Sequence, residues 1–280
     1  GSQIGFYSKA LRENILREML LESEMQDSLK RDEFQIYLQP QVLLGSRRAG
    51  ERLRAEALVR WWRDGRMYAL PDEFIGLFER NGSIVDLDYY VMRKACELLQ
   101  FWRANGLPPL CIAVNVSPLT MRQAGFEDYC CRIKREHGVE DGEIELEFTE
   151  SIAVQDYELF RSVLDRLHAE GFVCAMDDFG TGQSSLNVIQ SLKVDVLKLD
   201  RLFFAPKGEP ERQRIVLAAI LSLARQLHMS TVAEGIEDEA QVEELRELGC
   251  DYVQGFVVSK PLPVREYIAW IEGKGTWKQK

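Results

Sequence analysis

Six polar residues along the chain have the chemistry and the placement of metal ligands. Each lies at or near the end of a short segment rich in aliphatic and β-branched residues; they are Glu56, Asn115, Glu147, Asp177, Asp178 and Glu234. Carboxylates gathered in one place repel one another unless divalent cations compensate their charge. Oxygen ligands favour Mg²⁺ or Mn²⁺ over zinc, and none of the three histidines follows such a segment. The pattern predicts a site for hard cations and argues against a catalytic histidine.

The adjacent pair Asp177-Asp178 indicates more than one cation. If one of these carboxylates bridges two ions, the site can activate a water and hold a phosphate diester for in-line attack. Divalent ions would also explain how a chain with a formal charge of −10 binds an anion. Lys198 ends another apolar segment and could orient the water, help to deprotonate it or merely balance the carboxylates. Its position in the sequence does not decide between these roles.

The two aspartates open a polar loop, residues 177–185, with the sequence DDFGTGQSS. Gly180 and Gly182 permit backbone conformations that other residues rarely adopt, and loops of this kind often act as lids. A Gly-x-Gly pair is a weak phosphate-binding signal because turns use it constantly. We expect a functional loop here because Asp177 and Asp178 begin it.

Short β-rich segments alternate with amphipathic helical stretches along most of the chain. The predicted strands are Phe34–Leu38, Leu53–Val59, Cys111–Val116, Ile144–Phe148, Val173–Met176, Val194–Leu199, Thr231–Ala233 and Tyr252–Val253. Helices are expected between them, for example at Asp86–Asn105, Tyr157–Glu170, Glu211–Leu227 and Glu239–Leu248. This repetition predicts an α/β fold of the (β/α)8 barrel type, with a doubly wound open sheet as the alternative. In a barrel, the carboxyl ends of the strands converge on one face, which would bring the polar residues together.

Composition bounds the remaining possibilities. The 280 residues are 46% hydrophobic and 29% charged, as in a globular protein, and the acidic balance argues against attraction to DNA, RNA or anionic membranes. No apolar run is long enough to span a bilayer and no secretory leader opens the chain, so we expect a soluble cytoplasmic domain. The six cysteines contain no C-x-x-C pair and are expected to be buried free thiols.

The chain begins with features that lie outside the repeating pattern. Residues 1–2 resemble a cloning scar, and residues 3–30 are expected to contain one amphipathic helix from about Ser8 to Lys30. That helix either connects to a preceding domain or packs on its own domain. The main domain is predicted at residues 31–273, followed by a tail at 274–280.

The ordered set of motifs resembles the EAL family of cyclic di-GMP phosphodiesterases, over roughly residues 30–270. The motifs are Glu56-Ala57-Leu58-Val59-Arg60, Asn115-Val116-Ser117, Glu147-Phe148-Thr149-Glu150-Ser151, the loop at 177–185, Lys198-Leu199-Asp200, Glu234-Gly235-Ile236-Glu237, Gln254-Gly255-Phe256 and Lys260-Pro261-Leu262. Three residues of Glu-Ala-Leu carry no information alone, whereas the ordered set is highly specific. The resemblance implies a modified (β/α)8 TIM barrel whose first strand is antiparallel to the others, and hydrolysis of cyclic di-GMP to linear pGpG.

The resemblance also implies roles for individual residues. The first of two Mg²⁺ or Mn²⁺ ions would be held by Glu56, Asn115, Glu147 and Asp177, and the second by Asp177, Asp178 and Glu234. The catalytic set would be Lys198, which contacts the attacking water, with Glu56, Asp177 and Glu234. Substrate contacts are implied for Gln39, Leu58, Arg60, Asp200, Glu237 and Gln254, with Arg60 at the phosphate and Gln254 also supporting the metal end of the barrel. Glu150, Gly180 and Gly182 would organise the loop.

Two further expectations come from the same resemblance: the active enzyme should form a homodimer through elements after the fifth and sixth strands, and it should follow a GGDEF or sensor domain in a longer protein. Ca²⁺ should inhibit the enzyme, because its larger and more flexible coordination shell would replace Mg²⁺ without the right geometry. Gln183 stands where the family usually has Tyr or Phe, which affects the packing of the loop or its coupling to the dimer. A cyclic di-GMP receptor with little or no hydrolysis is the alternative, and an enzyme that is inactive in isolation is a third possibility.

Overall fold

The computed structural model describes residues 9–45, 51–180, 192–204 and 209–274. The strands are β1 Phe34–Leu43, β2 Leu53–Arg63, β3 Arg66–Ala69, β4 Leu110–Val116, β5 Ile144–Thr149, β6 Val173–Phe179, β7 Val196–Leu199, β8 Ser230–Ala233, β9 Tyr252–Val253 and β10 Leu262–Pro263. The α-helices are α1 Lys9–Lys30, α2 Pro71–Asn81, α3 Ile84–Ala104, α4 Pro118–Met121, α5 Phe126–Glu136, α6 Glu150–Gln155, α7 Tyr157–Ala169, α8 Pro210–Gln226, α9 Glu239–Leu248 and α10 Val264–Ala269. A 3₁₀ turn at Arg201–Phe203 and a short irregular helical segment at Trp270–Lys274 complete the described elements.

Eight of these strands form a closed barrel with one reversed strand. The parallel neighbours run in the order β2, β4, β5, β6, β7, β8 and β9. β1 closes the barrel by pairing antiparallel with both β2 and β9. The predicted barrel with an antiparallel first strand is therefore confirmed, and the open sheet is excluded.

All eight predicted strands are present in the barrel, and the structure adds two that the sequence pattern did not predict. β3 folds back on β2 as a hairpin, and β10 pairs with β1 beyond the barrel. β1 and β2 also extend further than predicted, to Leu43 and Arg63. Their additional pairing fixes the register that places Gln39 opposite Glu56 and Gln41 opposite Arg54.

The helices pack their apolar faces on the outside of the barrel. An aromatic cluster lies between α2, β1 and β2. Its rings Phe34, Trp61, Phe74 and Phe78 form pairs whose centroids are 4.6 to 6.1 Å apart. Aromatic residues bury large apolar areas, so this cluster contributes strongly to the attachment of the helical layer. It fixes the outer side of β2, the strand that carries Glu56 on its inner side.

The C-terminal half of α1 packs against this same region. Leu21 and Met25 are fully buried. Arg63 at the end of β2 donates hydrogen bonds to Glu24 and Ser28 of α1, at 2.7 and 3.0 Å. The described contacts show that the C-terminal half of this helix packs on the domain.

One sequence expectation about a smaller feature is confirmed. All six cysteines are buried and free. Gly106, Gly171 and Gly249 have φ angles of 65°, 76° and 81° just after helices, as glycines that end helices do. Within the described ranges, no helix is both long and apolar enough to cross a membrane.

Candidate active site

The polar residues singled out from the sequence converge at the carboxyl end of the barrel. Successive residues of a strand point to opposite faces, so one inner position on each strand supplies one side chain to the mouth. The described contacts join Glu56 on β2, Glu147 on β5, Asp177 on β6 and Glu234 after β8 around Lys198 on β7. These five residues form what we call the carboxylate cluster.

Lys198 lies at the centre of the carboxylate cluster. Its Nζ is 2.7 Å from Oε1 of Glu147, 2.8 Å from Oε1 of Glu234, 3.4 Å from Oδ2 of Asp177 and 3.9 Å from Oε2 of Glu56. The lysine side chain is 1% exposed. A single ammonium therefore faces four carboxylates in a buried place, and it leaves most of their charge uncompensated.

The electrostatics of the carboxylate cluster follow from this imbalance. Burial, together with the neighbouring carboxylates, raises the pKa of Glu147 well above its usual range, and the same causes raise the pKa of Glu234 to about 8, although Lys198 opposes both shifts. The surrounding carboxylates raise the pKa of Lys198 although its burial opposes this. The ammonium is thus held in its charged form.

The donor set fits divalent cations. Oε2 of Glu147 is buried and has no hydrogen-bond partner among the described residues, and such an atom is costly unless a cation or donor meets it. Asn115 donates from Nδ2 to Oε1 of Glu56 at 2.8 Å, which leaves the carbonyl oxygen of the amide for another contact. Oxygen ligands in a buried anionic cluster match the preference of Mg²⁺ and Mn²⁺. The residues present are therefore compatible with the two ions that the resemblance implies.

A local irregularity lets both adjacent aspartates serve the same end of the barrel. In a regular strand Asp177 and Asp178 would point to opposite faces, but the pairing of β6 with β7 shifts register between Met176 and Phe179. Asp178 has a φ of 55°, and its backbone N–H donates to Oδ1 of Asp177 at 2.8 Å. Burial and the nearby charges of Asp177 and Asp200 raise the pKa of Asp178. The bulge thus places a second carboxylate beside the first.

The loop that follows is tied to α6. The backbone N–H of Gly180 donates to Oε2 of Glu150 at 3.2 Å, and Glu150 is buried. Gly180 has a φ of 91°, and a Cβ atom there would lie 2.2 Å from the ring of Phe203. Only glycine fits this position without displacing that ring. Gly182 and Gln183, for which a role in the loop was expected, lie outside the described residues.

The six expected substrate contacts lie in two depressions that share Leu58. One, of about 310 Å³, is lined by Gln39, Leu58, Asp200, Glu237 and Gln254 and touches Glu56 and Glu234 of the carboxylate cluster. The other, of about 250 Å³, is mainly apolar and contains Leu58 and Arg60 beside Asn115. The guanidinium of Arg60 lies over the ring of Tyr37, 5.7 Å from its centroid. The first depression borders the carboxylate cluster, and the second reaches it through Asn115, which donates to Glu56.

Two lining residues received no role from the sequence. Phe256 lines the first depression with 57% of its surface exposed, and it stands directly after the Gln254-Gly255 pair, which could have drawn attention to it. Asp88 lines the second and accepts hydrogen bonds from the backbone of Ser117 and the hydroxyl of Thr120, at 2.9 and 2.6 Å. Its burial raises its pKa to about 6. Because Asp88 lies inside a helical segment, no sequence signal marked it.

A second group of possible ligands lies away from the carboxylate cluster. Ligand atoms of His168, Cys174 and Asp195 lie within 4.8 Å of one another. His168 lies near the end of α7, Cys174 near the start of β6 and Asp195 just before β7. Oδ2 of Asp195 already accepts from the backbone of Cys174 and contacts Nε2 of His168, both at 2.8 Å. Burial raises the pKa of the Cys174 thiol well above its usual range, which disfavours the thiolate that a metal needs. We interpret this group as a structural hydrogen-bond network.

The barrel and its mouth define a class: α/β barrel proteins whose polar site is built from the carboxyl ends of several strands. The sequence profile of the EAL domain family matches residues 22–261. The chain belongs to the EAL domain family.

Two curated relatives and one solved structure show how close the similarity is. The chain is 33% identical over 264 residues to the bifunctional diguanylate cyclase/cyclic di-GMP phosphodiesterase MucR of Pseudomonas aeruginosa, and 36% identical over 259 residues to the cyclic di-GMP phosphodiesterase NbdA of the same organism. These matches cover 94% and 92% of this chain but only 38% and 33% of the two relatives. The structure of the MucR phosphodiesterase in complex with c-di-GMP superposes with a TM-score of 0.80 at 34% identity, covering 89% of this chain and 99% of that one.

Proposed function

We propose that this chain is a metal-dependent phosphodiesterase that hydrolyses cyclic di-GMP to linear pGpG. The observation that carries the proposal is the carboxylate cluster at the barrel mouth, in which one ammonium faces four carboxylates and Oε2 of Glu147 has no hydrogen-bond partner within the described ranges. The names of MucR and NbdA, and the c-di-GMP in the MucR complex, identify the substrate of similar proteins and support its choice here.

The residues divide into two ligand sets. The first ion would be held by Glu56, Asn115, Glu147 and Asp177, and the second by Asp177, Asp178 and Glu234. When bound, such ions polarise the phosphate oxygens and lower the pKa of a coordinated water. They would also supply the positive charge that the carboxylate cluster lacks.

The reaction needs a water positioned at phosphorus on the side opposite the leaving oxygen. The water oxygen forms a new bond to phosphorus and gives up one proton, while the bond from phosphorus to one 3′ oxygen breaks. That oxygen takes up one proton, so the sum of the step is the addition of one water across the bond. Lys198 is within hydrogen-bond reach of Glu147 and Glu234 and is held charged. In this proposal it serves as a donor that orients the water and stabilises the developing charge.

The nucleotide would lie across the two depressions. Arg60 supplies a cation for a phosphate, Gln39, Asp200 and Glu237 supply polar contacts, and Leu58 separates the two sides. Phe256 offers an exposed ring on which a purine base can stack. One side of the groove is apolar and the other polar, which suits a ligand with flat bases and charged phosphates.

The proposal extends to the setting of the domain. It would act in the cytoplasm as a homodimer, as one part of a longer protein that also carries a GGDEF or sensor domain. The name of MucR as a bifunctional protein, of which this chain matches 38%, supports the presence of such a partner domain.

Chromatography of cyclic di-GMP incubated with the purified chain tests the activity. With Mg²⁺ or Mn²⁺ we expect pGpG to accumulate, and with a chelator we expect none. Calcium as the only divalent cation should support at most a few per cent of the rate, since its larger and more flexible coordination shell alters the geometry. Saturable binding of intact nucleotide without any product would contradict the proposal and indicate a receptor.

A further inference from the structure

A continuous line of buried and partly buried hydrogen bonds runs through the barrel interior below the carboxylate cluster. Nε of Arg54 donates to Oε1 of Gln41 at 3.1 Å, and Nε2 of Gln41 donates to Oε1 of Gln254 at 2.9 Å. Nε2 of Gln254 then donates to Oε2 of Glu56 at 2.5 Å. We call this line, from Arg54 through Gln41 and Gln254 to Glu56, the amide relay.

The reversed first strand makes the amide relay possible. In the antiparallel register Gln41 lies opposite Arg54, and Gln39 lies opposite Glu56. Because residues two apart share a face, Arg54 and Glu56 both point into the barrel, one layer below the other. Gln254, which follows β9 on the other side of β1, bridges the two layers.

Arg54 begins the relay in a buried ion pair. Its guanidinium donates to Oε2 of Glu145, a fully buried residue on β5, and lies over the ring of Tyr252, 4.9 Å from the centroid. A buried ion pair contributes little net stability compared with well-packed apolar residues, since desolvation offsets the attraction. This pair takes no part in the proposed chemistry, but Arg54 also contacts Gln41.

The two ends of the relay fix the direction of every hydrogen bond in it. Arginine can only donate, and an ionised carboxylate can only accept. Arg54 therefore turns the oxygen of Gln41 toward itself and its NH₂ group toward Gln254. Gln254 must in turn present its oxygen to Gln41 and its NH₂ group to Glu56. Nε2 of Gln254 also donates to Oε1 of Gln39 at 3.2 Å, so this amide has a second fixed partner. Without Arg54, the Gln41 amide could rotate and present its oxygen to the oxygen of Gln254, which would weaken the support that Gln254 gives to Glu56.

We infer that Arg54 and Gln41 are positioning residues that hold the carboxylate of Glu56 in its metal-binding orientation. Oε2 of Glu56 accepts from Gln254 and Oε1 accepts from Asn115, so both oxygens are fixed by donors outside the carboxylate cluster. The remaining lone pairs face Lys198 and the other carboxylates. This inference rests on the proposed function only in assigning Glu56 as a metal ligand.

Two variants separate positioning from simple support of the fold. Gln41→Met interrupts the relay and keeps a side chain of similar length. The double variant Arg54→Met with Glu145→Leu removes the ion pair as a unit and leaves no unpaired buried charge, which such replacements usually tolerate. Arg52→Met is the matched control, because it removes an arginine two residues away that is paired at 4.0 Å with Glu140 instead.

The main readout is direct Mn²⁺ binding to the metal-free protein, followed by calorimetry or by the electron paramagnetic resonance of free Mn²⁺. We expect both relay variants to bind Mn²⁺ about 10-fold more weakly than wild type, as is usual when the partner of a metal ligand is lost. Their thermal unfolding should change little, and Arg52→Met should bind Mn²⁺ normally. In turnover, the Mn²⁺ concentration needed for half-maximal rate should rise, while KM for the nucleotide changes less than about threefold.

Mn²⁺ affinity within about twofold of wild type in both folded variants would overturn the inference. Unfolding of both variants would also overturn it, because the relay would then only support the barrel. The result is independent of turnover. If wild type binds Mn²⁺ but forms no pGpG, the proposed activity fails while weaker Mn²⁺ binding by the variants still supports the relay. Normal hydrolysis by wild type with unchanged binding by the variants would refute the relay alone.

Discussion

Lys198 is surrounded by more negative charge than one ammonium can balance, so its role depends on the charge of the neighbouring carboxylates. Its ammonium lies within 4 Å of four carboxylates and is buried. The sequence indicated that Lys198 would lie near the ligands but left three roles open. The contacts of its ammonium with Glu147 and Glu234 support charge balance, and orientation of the water remains part of the proposed function.

Lys198→Met should therefore have two separable effects. Without metal, the unbalanced carboxylates should destabilise the fold by about 3–5 kcal/mol, the usual effect of leaving buried charges unpaired. Added Mn²⁺ should restore most of the thermal stability, whereas turnover should remain at least about 100-fold below wild type because the donor to the water is lost. Thermal unfolding with and without Mn²⁺, together with kcat, measures both effects. Full turnover in this variant would exclude a catalytic role for Lys198.

His168 provides a test of pH dependence away from the carboxylate cluster. Its hydrogen bond to Asp195 raises its pKa, since the carboxylate favours the imidazolium. A pKa raised by folding stabilises the protein below the pKa of the unfolded state, near 6.5, and this contribution disappears as pH rises through the higher folded value. His168→Gln should thus destabilise the protein more at pH 6 than at pH 9. The difference should be no more than about 1 kcal/mol because the pair is partly exposed.

Urea unfolding of wild type and His168→Gln at the two pH values measures this difference. An equal loss of stability at both pH values would show that the charged form of His168 contributes nothing.

At the scale of elements, the bulge at the end of β6 decides how the two aspartates are used. The sequence showed two adjacent acids after a strand, but alternation along a strand would have separated them. The register shift and the positive φ of Asp178 appear where β6 pairs with β7, and the sequence of β6 alone does not reveal them. The amide relay was equally hidden, because it depends on the register of β1 against β2.

Gly180→Ala and Gly82→Ala form a matched pair that tests the loop after the bulge. Both glycines have a φ near 90°, so each alanine should lose about 1 kcal/mol from backbone strain alone. A Cβ at Gly82 meets nothing within 4 Å, whereas at Gly180 it would press on Phe203, whose ring stacks on Phe179 next to Asp178. Gly180→Ala should therefore lower kcat at least about 10-fold, and Gly82→Ala should leave it unchanged. Urea unfolding and steady-state kinetics distinguish the two, and equal kcat values would contradict the account of the loop.

At the scale of the whole molecule, the alternation of strands and helices predicted a barrel or an open sheet, and the resemblance to the EAL family added the reversed first strand. Most of the motifs mark the carboxyl end of one strand, and the closed barrel brings them to one mouth. The packing of α1 could not be inferred in the same way. Its sequence is amphipathic for either role, and the burial of Leu21 and Met25 and the hydrogen bonds from Arg63 become visible only in the fold.

Association into a homodimer remains a prediction at this scale. Ile215 and Val216 on α8, after the sixth barrel strand, are 62% and 51% exposed, and exposed apolar neighbours of this kind are typical of interfaces. Ile215→Asp should convert a dimer to a monomer in light scattering at micromolar concentration. Phe101→Asp, on the exposed end of α3, is the control and should not change the mass. A wild-type protein that is monomeric throughout this range would remove the prediction.

The central claim is that the carboxylate cluster performs metal-dependent hydrolysis, and Glu147 tests it most directly because its Oε2 has no other partner among the described residues. The measurement is the rate of pGpG formation from cyclic di-GMP with saturating Mn²⁺, for wild type, Glu147→Gln and the exposed control Glu158→Gln. We predict product from wild type and from Glu158→Gln at equal rates, and a loss of at least about 100-fold in a folded Glu147→Gln. Hydrolysis by Glu147→Gln at the wild-type rate, or no product from wild type, would contradict the account.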